Sequence, residues 1–350
     1  MTIIFAILLF SLLIFVHELG HFLAAKASGV QVNEFSMFMG PAIWKKQKGE
    51  TLYSIRCIPI GGYCAMEGED SDTDNPRSFQ KAAWWKRLII LVAGSAMNFI
   101  AGLLIMVIVF LPAKQFAVPV IGSFDEGCTL NGEGGLQVGD RILEVDGEKI
   151  YVQSDITTIL YFNPGDLHDL VVERNGEKLV LDDFRMEKHL FPGEKTERYG
   201  LRFSAVDATF GNKLEYSWNT TIDSIRNVRL SLQLLLTGKA GFSDLSGPVG
   251  IIDQMSDVAQ ASPTWVDALM NMLYFGGFIA INLAVMNLLP IPALDGGRVV
   301  ALLLTTGIEA ITKKKINPKY EGYIHGIGMV LLLGLMAVIL FKDIFTIVTR

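Results

Sequence analysis

A histidine–glutamate–histidine pattern near the start of the chain offers the side chains that metal chemistry needs. His17, Glu18 and His21 belong to the sequence His-Glu-Leu-Gly-His. Residues four apart on a helix are offset by about 40° and 6 Å, so both imidazoles face the same way and can share one zinc ion. Glu18 lies beside that face, where a carboxylate can take a proton from zinc-bound water. The pattern also arises by coincidence on helix surfaces. The surrounding sequence is therefore needed to decide whether it is a metal site.

The setting is a long apolar segment. Met1 to Val16 carries no charge, and the segment continues through the motif to Ala25. Ionisable groups at bilayer depth are costly, so three of them within five residues need a purpose. A secretory signal is the alternative, but the chain begins without the positive charges of such a signal. We therefore predict a retained helix that carries a metal site.

A catalytic zinc site requires a third protein ligand and an open coordination position for water. Asp295 is a lone acid at the end of the uncharged run 268–294. Pro290 and Pro292 end the helical part of that run about 22 residues after its start. His17 lies about 16 residues from the start of its own helix. Both His17 and Asp295 are therefore expected near the same membrane face. We predict that Asp295 is the third ligand and lies on non-helical backbone. A helix cap or an interfacial acid is the alternative reading.

Four apolar runs are each long enough to cross a bilayer, which takes about 20 residues. They cover residues 1–25, 88–111, 268–294 and 322–341 of a chain that is 51% hydrophobic. The predicted fold class is a polytopic α-helical membrane protein with four transmembrane helices. His325, at the start of the fourth run, fits an interfacial histidine. The net charge of −6 gives no support to nucleic-acid binding.

The distribution of charge predicts the orientation in the membrane. Nine Lys and Arg residues lie between Lys26 and Arg87, and a second basic group follows the third apolar run. The middle segment 113–267 has 14 basic and 24 acidic residues. By the positive-inside rule the two basic loops are cytoplasmic, while both termini and the acidic middle segment lie outside. The active site would then be near the cytoplasmic side.

The loop after the first apolar run has the character of β-strands. Glu34 to Trp44 and Thr51 to Ile58 are rich in aromatic and β-branched residues, and Gly61 and Gly62 end the second run. We predict a membrane-associated β-hairpin or small sheet that dips into the bilayer. Such backbone is tolerated there only if protein shields it or if it lines a cavity. Its edge could bind a substrate in extended form.

The middle of the chain reads as a separate module. Residues 113–205 alternate short apolar runs with Gly, Asn and Asp turns, with a helix near Val152 to Leu160, and Gly135 to Gly147 is similar to a PDZ domain. Residues 206–267 contain an amphipathic helix that lies on the membrane surface or serves as a packed connector. The predicted division is therefore two membrane halves, a PDZ domain and a connector: 1–112, 113–205, 206–267 and 268–350.

Together these features resemble the site-2 protease family, in particular the bacterial RseP-type enzymes with a single PDZ domain. The motifs that carry the resemblance are His17 to His21, Gly61-Gly62-Tyr63, Gly94-x-x-x-Asn98, Ser246 to Gly250, and Asn282 through Asp295-Gly296-Gly297. Several members carry two PDZ modules in tandem, and this chain has length for one. Conclusions that need a paired-PDZ filter therefore do not transfer.

The resemblance implies a role for each motif residue. His17, His21 and Asp295 are implied as zinc ligands and Glu18 as the catalytic acid and base. Asn282 and Asn287 are implied to hold the substrate backbone together with Gly61 and Gly62, although hydrogen bonding between helices would also explain the two asparagines. Gly94 and Asn98 would form a close-packing stripe near the site.

The implied activity is cleavage of single-span membrane proteins in the bacterial cytoplasmic membrane. The substrates would be anti-sigma factors already trimmed by an upstream site-1-type protease, or remnant signal peptides. The PDZ domain would exclude large substrates or bind peptides, and the sequence leaves both open. Two other functions fit the sequence: a membrane-anchored zinc protease that acts on proteins at the cytoplasmic surface, and a non-catalytic PDZ scaffold.

Overall fold

The computed structural model describes residues 2–69, 73–132, 134–191, 196–241, 245–314 and 319–349. The chain divides into two compact units. The first unit comprises Met1–Ile105 and Gly241–Arg350, and the second unit comprises Met106–Ala240. In chain order the helices and strands are α1 Thr2–Ser28, β1 Val32–Lys48, β2 Thr51–Met66, α2 Trp84–Phe110, β3 Gln115–Phe124, β4 Arg141–Val145, β5 Glu148–Lys149, α3 Ser154–Phe162, β6 Leu167–Arg174, β7 Glu177–Arg185, β8 Leu201–Asp207, α4 Phe210–Leu236, α5 Pro248–Ala261, α6 Trp265–Asn287, α7 Asp295–Thr312 and α8 Lys319–Thr349.

Four helices in the described part of the chain are long and apolar enough to cross a membrane. They are α1, α2, α6 and the segment Gly322–Thr346 of α8. The prediction of a membrane protein with four spanning helices is therefore confirmed. The sides of these helices carry many exposed apolar residues, which is the expected surface for contact with lipid.

Small residues allow the spanning helices of the first unit to approach each other closely. A Cβ added to Gly20 of α1 would lie 2.3 Å from the carbonyl oxygen of Ala93 in α2, which is too close for any side chain. At Gly102 of α2 the added Cβ would lie 2.6 Å from Ile281 of α6. Helices in lipid associate through such tight backbone packing because no hydrophobic effect drives them together.

The predicted hairpin is present and is longer than the sequence indicated. β1 and β2 pair antiparallel, and Glu34 has partners both in Leu52 and in Ala65, so the bent strands form a compact sheet. Arg56 fixes the bend, because it donates to the carbonyl of Gly40 and to the carboxylate of Glu34. Burial alone would raise the pKa of Glu34, but the hydrogen bonds from Arg56 and Ser54 hold this pKa below its usual value.

The segment around Asp295 differs from the prediction. α6 ends at Asn287 and the backbone is non-helical only up to Leu294; Asp295 itself is the first residue of α7. The prediction of non-helical backbone at Asp295 is therefore wrong, and much of the expected basic loop is helix. The prolines end α6, as expected. No proline lies between Pro292 and Pro318, so a new helix can begin at Asp295.

The second unit is built around a six-stranded sheet. Its strand order is β7-β6-β4-β3-β8, with β5 paired to β4. Its strands agree with the β-rich character predicted for 113–205, and α3 lies where a helix was expected near Val152 to Leu160. Fully buried Ile121, Ile142, Ile156 and Leu170 form the centre of the core. Thr209 caps α4, because its side chain accepts a hydrogen bond from the backbone N–H of Asn212.

Candidate metal centre

Three side chains from two distant parts of the sequence converge in the first unit. The Nε2 atoms of His17 and His21 lie 3.2 Å apart. The Oδ2 atom of Asp295 lies 3.1 Å from His17 Nε2 and 3.3 Å from His21 Nε2. Among the described residues these three form a group that could hold a metal ion. The structure thus brings together the three residues that the sequence singled out as ligands.

The geometry of this triangle fits a zinc ion. Zinc binds imidazole nitrogen and carboxylate oxygen at about 2.0–2.1 Å, and two ligand atoms of a tetrahedral site are then about 3.3 Å apart. The three observed separations, 3.1, 3.2 and 3.3 Å, agree with that value. Two imidazoles and one carboxylate are also a donor set that zinc accepts, and they leave a fourth position open.

α2 lies against both imidazoles and orients them. His21 Nδ1 lies 2.8 Å from the carbonyl oxygen of Ile90, so this nitrogen donates its hydrogen there and Nε2 is left with its lone pair. Gly94, one turn later on α2, leaves space for the two imidazole rings. A Cβ at Gly94 would lie 2.3 Å from His21 Nε2 and 2.7 Å from His17 Cε1. The role of the Ile90 carbonyl could not be read from the sequence, because a backbone atom carries no sequence signal.

Two glycines after Asp295 explain how this residue reaches the site. A Cβ on Gly296 would lie 2.2 Å from the carbonyl oxygen of Leu288, and a Cβ on Gly297 would lie 2.3 Å from that of Ile291. The loop from α6 therefore folds back directly onto the start of α7, which only glycine permits. The two glycines that directly follow Asp295 are the sequence feature that permits this close approach.

The loop before Asp295 is held by a residue that the sequence analysis did not assign to the site. Ala293 has a positive φ of 81°, which is unfavourable for a residue with a side chain. Its backbone N–H donates to His325 Nδ1 at 3.1 Å. Gly328, one turn further on α8, packs against Pro292. His325 thus supports the loop that leads to Asp295, which goes beyond the interfacial position predicted from sequence.

Glu18 lies on the helix that carries both histidines, and it faces the hairpin. A Cβ added to Gly62 would lie 3.5 Å from Glu18 Cγ and 3.0 Å from the carbonyl oxygen of Ser36. Gly61, which has a φ of 80°, turns the strand at this point. The structure therefore brings the Gly61–Gly62 segment next to Glu18, as the sequence suggested for residues that act on one substrate.

The two asparagines of α6 differ in their relation to the site. Asn287, the last residue of the helix, lies with Nδ2 3.5 Å from His17 Nδ1. Asn282 lies about one and a half turns earlier, is half-buried, and makes no side-chain hydrogen bond to the described residues. Asn98 of α2 is buried, and its Nδ2 lies 3.2 Å from His17 Nδ1. Asn98 and Asn287 therefore lie within hydrogen-bond distance of His17.

Comparison with known proteins gives a consistent result over nearly the whole chain. The model of peptidase family M50 matches residues 5–335. A Clostridium acetobutylicum protein named as a zinc metalloprotease is 36% identical, and the match covers 98% of this chain and 97% of that protein. A Fusobacterium nucleatum protein with the same designation is 34% identical, with 98% of each chain covered.

A more distant relative carries a more specific name. The Regulator of sigma-W protease RasP of Bacillus subtilis is 29% identical, with 98% of both chains covered. That alignment spans 434 positions, which exceeds the 350 residues of this chain. The Bacillus protein therefore contains segments that this chain lacks.

Proposed function

This chain belongs to peptidase family M50 and is a zinc metalloprotease of the membrane, and we propose that it cleaves single-span membrane proteins within the bilayer. The observation that carries the proposal is the triangle of ligand atoms from His17, His21 and Asp295. Two of the three belong to α1, a membrane-spanning helix, so the reaction centre would lie inside the membrane rather than on a soluble domain. Burial of three ionisable groups at that depth is costly without such a function.

Each residue of the site would have a distinct task. His17, His21 and Asp295 would hold the zinc, which when bound supplies a Lewis acid that polarises the scissile carbonyl and acidifies a water molecule. Glu18, on the adjoining face of α1, would take the proton of the attacking water and deliver it to the nitrogen of the leaving amine. The Ile90 carbonyl would keep His21 in the tautomer that the metal requires.

The hairpin would hold the substrate in extended form. A substrate helix satisfies its own backbone hydrogen bonds, so it must unwind before its carbonyls can be attacked. Among the described residues, 62–66 of β2 pair only with β1, on one side, and this segment begins beside Glu18. We propose that the unwound substrate adds to this free edge as a further strand. Asn282 and Asn287 would satisfy the remaining backbone groups of the substrate.

The name of the Bacillus relative supports a regulatory substrate. We propose that the natural substrates are anti-sigma factors trimmed beforehand by an upstream site-1-type protease, or remnant signal peptides. The charge distribution supports a location in the bacterial cytoplasmic membrane, with both termini and the second unit outside and the active site near the cytoplasmic side. The second unit, a β-rich module of PDZ-like sequence, would then select substrates with short outer stubs.

A reconstituted cleavage assay tests the proposal. The natural chain and its Glu18→Gln variant would each be placed in liposomes with a tagged single-span substrate, and the ends of the products would be mapped. We expect the natural chain to cut inside the apolar span. The variant should lose about 10²- to 10⁴-fold in rate, because glutamine cannot accept the proton, and should keep its bound zinc.

The other outcomes favour other functions. Cuts confined to residues outside the span would indicate a membrane-anchored protease of surface proteins. Equal rates for the natural chain and Glu18→Gln would contradict the role of Glu18. No cleavage of any tested single-span protein by the zinc-loaded natural chain would favour the scaffold function.

A further inference from the structure

The two nitrogens of the His17 ring face different surroundings. Nε2 lies in the triangle with His21 and Asp295, while Nδ1 lies 3.2 Å from the side-chain nitrogen of Asn98 and 3.5 Å from that of Asn287. A neutral imidazole carries one N–H and one lone pair. If Nε2 gives its lone pair to the metal, as in the proposed site, then Nδ1 carries the hydrogen and needs an acceptor. An amide nitrogen cannot accept.

The amide of Asn98 can supply that acceptor by exchanging its two ends. Oxygen and nitrogen of an amide are assigned from their hydrogen-bond partners, since their positions are otherwise equivalent. Asn98 is 1% exposed, and its Oδ1 is buried without a hydrogen-bond partner among the described residues. Turning the amide places Oδ1 against His17 Nδ1. The exchange moves the unpartnered atom rather than adding one, and it removes a contact between two donors.

The position of Asn98 on α2 supports this assignment. Ile90, Gly94 and Asn98 are spaced four apart and so lie on one face of the helix. Ile90 accepts from His21 Nδ1, and Gly94 makes room for both rings. Asn98 lies at the corresponding place beside His17. α2 therefore offers one acceptor for each histidine on either side of the glycine.

We infer that Asn98 is a positioning residue that accepts a hydrogen bond from His17 Nδ1 and thereby turns the Nε2 lone pair towards the metal. This inference rests on the proposed metal site. It gives Asn98 a role beyond the close packing of helices that its motif suggested. It also separates Asn98 from Asn287, whose amide lies further from the ring and is left for the substrate.

Zinc affinity tests the inference independently of cleavage. The full-length chain in detergent would be titrated against a chelator, together with Asn98→Leu, Asn98→Asp, Asn287→Leu and Ser95→Ala. Asn98→Leu keeps the size but loses the acceptor, so we expect zinc to bind about 10- to 100-fold more weakly. Asn98→Asp keeps the acceptor and should keep the affinity. Ser95, equally buried on α2, is the matched packing control and should also leave it unchanged.

Each other result has a defined meaning. Natural affinity in Asn98→Leu would overturn the inference, as would a loss in Asn98→Asp equal to the loss in Asn98→Leu. A loss in Asn287→Leu with none in Asn98→Leu would assign the role to Asn287 instead. If Asn98→Leu does not fold, Asn98→Asp decides, because aspartate can accept but its carboxylate cannot donate. Failure of the natural chain itself to bind zinc would refute the metal site rather than the role of Asn98.

Discussion

Buried charges have different surroundings in the two units. In the second unit two deeply buried carboxylates face arginines: Asp140 receives two hydrogen bonds from Arg174, and Asp155 pairs with Arg226. In the first unit, Asp295 faces two imidazoles, and the described residues form no ion pair between it and a lysine or arginine. Each arginine supplies the positive charge that balances its carboxylate. No lysine or arginine among the described residues does this for Asp295, and this distinguishes the triangle of the first unit from a structural ion pair.

The largest effect is expected from Gly94→Ala. This variant tests whether the rings of His17 and His21 need the space beside Gly94 in order to form the triangle with Asp295. The new Cβ would meet His21 Nε2 at 2.3 Å, so the ring must leave its position. Zinc binding should be lost and cleavage should fall by at least about 100-fold, since misplacement by 1 Å has that effect on an active site. Zinc content and initial cleavage rates measure both changes.

Gly102→Ala is the matched control on the same helix. Its Cβ would meet Ile281 Cγ1, the side chain of a neighbouring helix, at 2.6 Å. Overpacking of this kind destabilises by about 1–3 kcal/mol, but it should leave zinc bound. Equal zinc loss in both variants would mean that Gly94 serves only the packing of α2.

Arg226→Met breaks the two buried ion pairs of Arg226 in the second unit. It leaves Asp155 and Asp223 without their buried cation, which typically costs about 3–5 kcal/mol. Thermal unfolding should show the loss, and zinc content should stay the same. Arg229→Met is the control, because Arg229 is half-exposed and its pair with Glu148 contributes about 0–1 kcal/mol. Zinc loss in Arg226→Met would show that the comparison between the units is mistaken.

Asp223 gives a smaller, pH-dependent effect. Burial raises its pKa to about 6, the charge of Asp155 adds to this, and Arg226 opposes it. Because this folded-state pKa exceeds the ordinary value, the proton stabilises the native state: the contribution is complete below about pH 4 and is lost as the pH rises through 6. Relative to Asp223→Asn, the natural chain should lose at most about 1.4 kcal/mol per pH unit in that window. If the free energy of unfolding changes with pH in the same way for both proteins between pH 4 and 7, the raised pKa of Asp223 is disproved.

Much of this architecture could be predicted because its signals are local. The four spans follow from apolar runs, and the β-rich second unit follows from short apolar runs that alternate with Gly, Asn and Asp turns. The position of both histidines on one face follows from helical periodicity. The role of the Ile90 carbonyl could not be predicted, since it depends on a contact between residues 69 positions apart. The same holds for the Asp155–Arg226 pair, whose members lie 71 residues apart and carry no local pattern.

X-ray absorption at the zinc edge tests most directly whether His17, His21 and Asp295 hold the metal. The full-length chain should contain one zinc, with a shell of nitrogen and oxygen at about 2.0–2.1 Å that includes two imidazoles. Asp295→Asn should lose most of the zinc or change that shell. Sulfur at about 2.3 Å would instead point to a cysteine such as Cys64. That result, or an unaltered zinc shell in both Asp295→Asn and His17→Ala, would contradict the account.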